Sequence, residues 1–359
     1  MELTNTQKLV LGLVPPSVVI IPLLILYFCR KSTSKDEQHG DIEKNFEYEQ
    51  GDESQIEDLI TFQGGEDLTI YDILDAPGEV IGKSSYGTIY KAALERTNMV
   101  RLLRFVRPAC TGKTKEVVSV IRLLGLIRHP NLVPLQAFYA GARGEKLLVH
   151  PFFRCGNLAQ FIRDGNGESH KWAIICRISI GIAKGLDHLH NGLHKPIIHG
   201  NLKSKNILLD RNCQPYISDY GLHLLLNPTA GQEVLEASLA QGYKAPELIK
   251  MKDANEETDI YSLGVILLEI LTGKEPIIEN PSPSEDFYLP NSMRHAILDH
   301  RITDLFHPDI LLYQSSDQSP VTEEHILKFF QLAMACCSPS PSLRPNIKQV
   351  IRKLEEIDE

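Results

Sequence analysis

The stretch His199-Gly200-Asn201-Leu202-Lys203-Ser204-Lys205-Asn206, followed by Asp219-Tyr220-Gly221 and then Ala245-Pro246-Glu247, decides the reading of this chain. Asn201 is the residue that matters most in it. A carboxamide does not accept a proton at neutral pH, so Asn201 cannot serve as a general base. Upstream of this stretch the chain reads as short strands. Glu79-Val80-Ile81-Gly82 and Thr88-Ile89-Tyr90-Lys91-Ala92 flank a glycine-bearing turn, and residues 100–106 and 146–153 form further β-like runs. Between them, Val117, Ile121, Leu124 and Ile127 recur at helical spacing. Downstream of about residue 156 the pattern is mostly helical, with Ile178, Ile182, Leu186 and Leu189 on one buried helix and Ile260, Leu263, Leu267 and Ile270 on another. The expectation is an α+β chain, a β-rich small lobe followed by a helical large lobe.

The 359 residues leave room for one two-lobed domain with appendages, and 43% hydrophobic with 23% charged residues is an ordinary globular composition. A net charge of −9 argues against a nucleic-acid partner, which would call for a basic face. The seven cysteines form no C-x-x-C pair, which suggests neither a zinc site nor a disulfide framework. Residues 9–29 (LVLGLVPPSVVIIPLLILYFC) carry no charge and have the length of a bilayer span. Arg30, Lys31 and Lys35 follow the run, and the positive-inside rule then places the bulk of the chain in the cytosol. A cleaved leader is disfavoured because no small-residue cleavage pattern ends the run, and a soluble helix because Pro15, Pro16 and Pro22 would break it. The predicted organisation is a short extracytoplasmic stretch at 1–8, a transmembrane helix at 9–29, an acidic disordered linker at 30–67 and a folded domain at 68–359.

From about residue 68 to its end the chain resembles the kinase domain of plant receptor-like kinases of the leucine-rich-repeat type. The resemblance rests on Arg128-His129-Pro130-Asn131-Leu132-Val133-Pro134-Leu135, on His199-Gly200-Asn201-Leu202-Lys203 and on Thr258-Asp259-Ile260-Tyr261-Ser262-Leu263-Gly264. It implies a bilobal kinase-like fold and assigns roles by position. Asn201 stands where the catalytic aspartate belongs, Lys203 where a lysine steadies the transferred phosphate, and Asn206 and Asp219 where magnesium is held. The resemblance also has Asp259 hold the catalytic loop, and Glu247 pair with Arg344 to brace the large lobe. Gly82, Ser84 and Gly87 stand for the glycine-rich loop over the phosphates, with Ser84 replacing its second glycine. The family spacing puts Leu103 at the phosphate-binding lysine and Arg101 at the small residue against adenine, both on one face of the strand. A slip by one residue would bring Arg104 there instead. That slip would turn the strand's apolar face outward, so it is set aside. Val120 falls at the glutamate that pairs with the lysine.

These losses define the expected function. The chain reads as a single-pass membrane pseudokinase without an ectodomain, a scaffold or allosteric regulator of other receptor-like kinases or their cytosolic substrates. No cofactor is expected. Two alternatives stay open: a weak or atypical ATP-dependent serine/threonine kinase working through Lys203, Asn206 and Asp219, and a fold that binds ATP and magnesium as a switch without transfer. Thr229 and Ser238, between Asp219 and Glu247, are candidate sites for modification by a partner kinase.

Overall fold

The computed structural model describes residues 58–164, 168–239, 241–249, 254–278, 286–300, 306–312 and 322–359. The run at 9–29 and the linker up to residue 57 lie outside them. Among the described residues no helix is long and apolar enough to cross a membrane.

The small lobe holds β1 (Asp58–Thr61), α1 (Ile70–Leu74), β2 (Gly78–Lys83), β3 (Gly87–Leu94), β4 (Met99–Val106), α2 (Thr114–Gly125), β5 (Ala137–Ala140) and β6 (Lys146–Pro151). The six strands form one antiparallel sheet in the order β1-β5-β6-β4-β3-β2. The strands predicted around the glycine turn, at 100–106 and at 146–153, and the helix between the last two, are all present. β1 was not expected, because it falls in the stretch read as a solvated linker. It pairs with β5, Asp58 opposite Ala140 and Thr61 opposite Ala137, so the ordered domain starts ahead of Leu68. Its two apolar residues explain why: Leu59 packs on one face of the sheet and Ile60 on the other.

Both faces of this sheet are buried, which matters for the site. Val106, Phe138, Ala140 and Leu148 look inward toward α2 and the main core. Leu103, Tyr139, Leu147 and Val149 look outward and are roofed by Leu68 and by Ile73 of α1. The roof is anchored by the Thr69–Asp72 capping box at the start of α1, and Asp72 also pairs with Arg96.

The large lobe contains α3 (Leu158–Asp164), α4 (Trp172–Asn191), the hairpin β7 (Ile207–Leu209) and β8 (Pro215–Ile217), and α5 (Pro228–Leu239). After these come α6 (Glu256–Thr272), α7 (Leu289–Leu298), α8 (Pro308–Leu312), α9 (Glu323–Cys336) and α10 (Ile347–Asp358). Every residue of α6 from Thr258 to Thr272 is buried, so this helix is the axle of the lobe, packed by α4 and α9. Asn255 caps its start by accepting from the Thr258 amide, and Gly273 ends it in the left-handed conformation. Leu263, Leu267 and Leu271 are fully enclosed; each such leucine is worth about 1.5–3 kcal/mol of burial. Arg344 closes the lobe's far side. It grips both Glu247 carboxylate oxygens at 2.6 and 2.8 Å, donates to the Glu257 and Ser338 carbonyls, and lies over the Tyr261 ring.

Candidate functional site

Asp259, on the axle helix, organises the loop that carries Asn201. Its Oδ2 accepts from the His199 amide at 2.7 Å and faces His190 Nε2 at 2.9 Å, and its Oδ1 accepts from the Gly200 amide at 2.9 Å. Gly200 takes a left-handed φ of 69° there, and His199 is anchored through Nε2 to the Ser218 carbonyl. Burial holds the His199 imidazole below its ordinary pKa, which keeps it neutral in this role. Asn206 donates from Nδ2 to the Asn201 carbonyl at 3.0 Å, and its own carbonyl accepts from the Ser218 amide and hydroxyl. Lys203 reaches Gln241 Oε1 at 3.0 Å, so its ammonium is engaged by the segment beyond α5. The Asn201 Oδ1 atom is buried without a partner. The structure thus gathers Asn201, Lys203, Asn206 and Asp219 into one region.

The small-lobe side of the site departs from the sequence reading. Leu103 and Arg101 do not face the cleft. Leu103 is buried in the outer cluster with Tyr139, Leu147 and Val149, and Arg101 shares its face, its guanidinium against the Met99 sulfur at 3.4 Å. Leu102 and Arg104 line the cleft instead. The register once set aside is the one adopted, and the reason is physical. Side-chain alternation fixes a register only where one face is wet, and here Leu68 and α1 bury the second face too. The charged residue that β4 presents to the cleft is therefore Arg104.

Arg104 closes on the opposite lobe. Its Nη2 lies 2.5 Å from Asp219 Oδ1 and its Nη1 donates to the Tyr86 hydroxyl at 3.3 Å, with side-chain exposures of 7% for Arg104 and 13% for Asp219. Burial works against the Arg104 charge, and Asp219 and Tyr86 outweigh it, so the guanidinium's pKa is raised. Tyr86 comes from the glycine hairpin and is folded into the core rather than out to solvent. Ser84, in place of a glycine, ties the hairpin to itself: its Oγ accepts from the Gly87 amide at 3.1 Å. Gly87 is needed for packing, since a Cβ there would stand 2.3 Å from the Phe105 carbonyl oxygen. Gly82 and Ser84 line the same cleft, whose volume is about 390 Å³.

Asp219 itself adopts a left-handed φ of 66°, and Gly221 one of 68°, where a side chain would collide with Leu124 of α2 at 2.5 Å. The buried Tyr220 ring keeps its hydroxyl satisfied by donating to the Val133 carbonyl at 2.7 Å. Val120 is half-buried on α2 and packs against the core; the carboxylate that meets Arg104 is Asp219. The Asp219 carboxylate gives one oxygen, Oδ1, to the Arg104 guanidinium, and Asn206 is held through its Nδ2 by the Asn201 carbonyl, so a cation at this site would meet the Arg104 charge.

One buried cluster near this loop was not legible in the sequence. Ser204 Oγ, the Tyr243 hydroxyl and the Glu269 carboxyl form a closed ring with contacts of 2.7, 2.7 and 3.0 Å. A protonated Glu269 gives the ring three protons for three contacts, one donor for each. An ionised one leaves the Ser204 and Tyr243 oxygens facing each other without a proton once both donate to the carboxylate. Burial accordingly pushes the Glu269 carboxyl up to about 8 from an ordinary 4.5, against the Tyr243 and Ser204 hydrogen bonds. Between those two values the unfolded state binds fewer protons than the folded one, so stability falls as pH rises. Glu269→Gln preserves the ring and removes the titration. Relative to this variant, the native chain should lose on the order of a few kcal/mol between pH 5 and 8. Denaturant titrations across that range check it; parallel curves for the two proteins would mean that Glu269 does not titrate there.

Comparison with known proteins gives consistent results. The family model for the protein kinase domain matches residues 76–354. The chain is 38% identical over 356 residues to the kinase-like protein TMKL1 of Arabidopsis thaliana, covering 97% of this chain and 52% of that protein. It is 42% identical over 319 residues to the leucine-rich repeat receptor-like protein kinase IMK3 of the same plant, covering 88% of this chain and 39% of the relative. An Arabidopsis thaliana receptor kinase named as inactive is 35% identical, with coverages of 80% and 42%. Among solved structures, the pseudokinase domain of BIR2, an immune regulator, superposes with a TM-score of 0.69 at 28% identity over 84% of this chain and 90% of that one. The chain spans about half or less of the length of these curated relatives.

Proposed function

We propose that this chain, which belongs to the protein kinase domain family and has plant receptor-like kinases among its relatives, works as a pseudokinase. It docks a kinase-shaped surface against a receptor-like kinase or a cytosolic substrate of one, as scaffold or allosteric regulator, and transfers no phosphoryl group. The observation that carries this reading is the guanidinium of Arg104 closed on Asp219, in a site whose base position holds the amide of Asn201. Phosphoryl transfer rests on positioned charge more than on proton abstraction. Here the carboxylate that would position a cation is paired internally, so the defect does not reside in Asn201 alone. The role calls for no cofactor. The charge-free run at 9–29 with basic residues after it supports anchoring by a single span, with the kinase-like domain on the cytosolic side.

The test is a phosphoryl-transfer assay on the full chain with a general substrate, beside Asp219→Ala and Asn201→Asp. Transfer by the native chain is expected at the level of Asp219→Ala, and restoring the acid in Asn201→Asp is expected to add nothing measurable. Turnover of the native chain well above the Asp219→Ala background would sink this reading in favour of a weak kinase. Lys203 and the cation retained at Arg104 are the residues that would support such an activity.

A further inference from the structure

The helix that roofs the outer face of the small-lobe sheet buries only one of its sides. Ile73 packs down onto the outer cluster, whereas Tyr71 and Leu74, three residues apart and so neighbours on the helix surface, are 78% and 50% exposed. Met99, also exposed, adds a third apolar group from the start of β4. Arg96 pins the turn between β3 and β4 alongside α1, donating to the Asp67 carbonyl and pairing with Asp72 at 2.8 Å. The charges around this apolar face are one-sided. Arg96 is engaged by Asp72 and Lys91 by Glu79, while the exposed carboxylates Glu66, Asp75 and Glu95 form no ion pair among the described residues. Arg101 offers nothing outward, since it is buried with its guanidinium turned to the Met99 sulfur. Asp75 also stands at the C-terminal end of α1, where a carboxylate opposes the helix's own carbonyls and an outside cation would relieve it.

We infer that this face of α1, with the start of β4 beside it, is a docking surface for a basic amphipathic helix of a partner protein. The partner's apolar side chains cover Tyr71, Leu74 and Met99, and its arginines or lysines meet Glu66, Asp75 and Glu95. Tyr71 suits such a partner twice over, as apolar area and as a ring on which a guanidinium can stack. The sign of the charge turns away nucleic acid and the anionic leaflet of a membrane, both of which call for a basic face. Leu102 and Arg104 line the cleft from the other side of the sheet, so a partner docked here leaves the cleft untouched. Docking is consequently independent of whether the cleft transfers phosphate.

The experiment is fluorescence anisotropy of a labelled helical peptide of leucine and arginine in amphipathic spacing, titrated with the full chain in nanodiscs of neutral lipid, with empty nanodiscs as the blank. Saturable binding is expected, about tenfold weaker for the double variant Tyr71→Ala with Leu74→Ala, the scale of one truncated hot spot. Both side chains are exposed and Ile73 stays in place, so this variant keeps the roof. Asp75→Lys is expected to weaken binding by a similar factor. Glu323→Lys, at the exposed start of α9 in the large lobe, is expected to leave it unchanged. Equal losses from the two charge reversals would mean that the peptide answers only to the chain's net charge of −9, and would overturn the inference. Full binding by the double variant, or no binding by the native chain, overturns it as well. A peptide with its leucines replaced by glutamine is expected to bind far more weakly. Binding as tight as that of the leucine peptide would reduce the surface to a patch of charge and defeat the docking of a helix.

Discussion

Asp259→Ala is expected to cost about 3–5 kcal/mol of folding stability and to release the loop that carries Asn201. Asp259 is 1% exposed, and its two oxygens serve the His199 amide, the Gly200 amide and the His190 ring. Deleting the carboxylate leaves those groups buried without acceptors, and each unsatisfied donor costs about 1–3 kcal/mol. The Gly200 turn, held in a left-handed conformation, loses its brace at the same time. Asp259→Asn keeps an oxygen in place and should recover part of the loss. Denaturant unfolding of the three proteins measures it. A loss below about 1 kcal/mol for the alanine variant would mean that the loop is held by other contacts.

The second large effect is the coupling between Arg104 and Asp219. Either single substitution to alanine strands the partner's charge in a nearly buried position, for a loss of about 3 kcal/mol. Removing both leaves no stranded charge, so the double variant should be less destabilised than the sum of the singles by roughly 2 kcal/mol or more. The burial of both side chains makes this more than a surface pair, whose coupling is typically below about 1 kcal/mol. Additive single effects in a double-mutant cycle would show that the two residues stand close without depending on each other. The cycle reports on function too, because it measures what a metal ion would have to displace.

The fold was readable wherever a pattern had only one physical explanation. The apolar residues of α6 and α4 lie at helical spacing over more than four turns, and the Arg344–Glu247 and Asp259 contacts follow from the resemblance and are met in the structure. β4 was misread because its sequence, Val100-Arg101-Leu102-Leu103-Arg104-Phe105-Val106, is nearly apolar on both faces with one arginine on each. Alternation then cannot say which arginine meets the cleft. The deciding contacts come from Leu68 and Ile73 roofing the outer face, and from Asp219, 115 residues downstream of Arg104. β1 was hidden among acidic neighbours, since two apolar residues make no periodicity. The ring of Ser204, Tyr243 and Glu269 had no local signal at all, as its members come from three segments far apart in the chain.

The stretch between Asp219 and Tyr243 is clamped at both ends, by Arg104 at one and by Glu269 with Ser204 at the other. A span with fixed abutments has its closure entropy already met by the fold. Its interior, where α5 sits and the Thr229 side chain is exposed, is also stitched to the small lobe, by Asn227 to the Ala109 and Cys110 carbonyls and by the Gly112 amide to the Leu225 carbonyl. A protein that remodels this span therefore pulls on both lobes at once, and the message it writes there is carried to the small lobe.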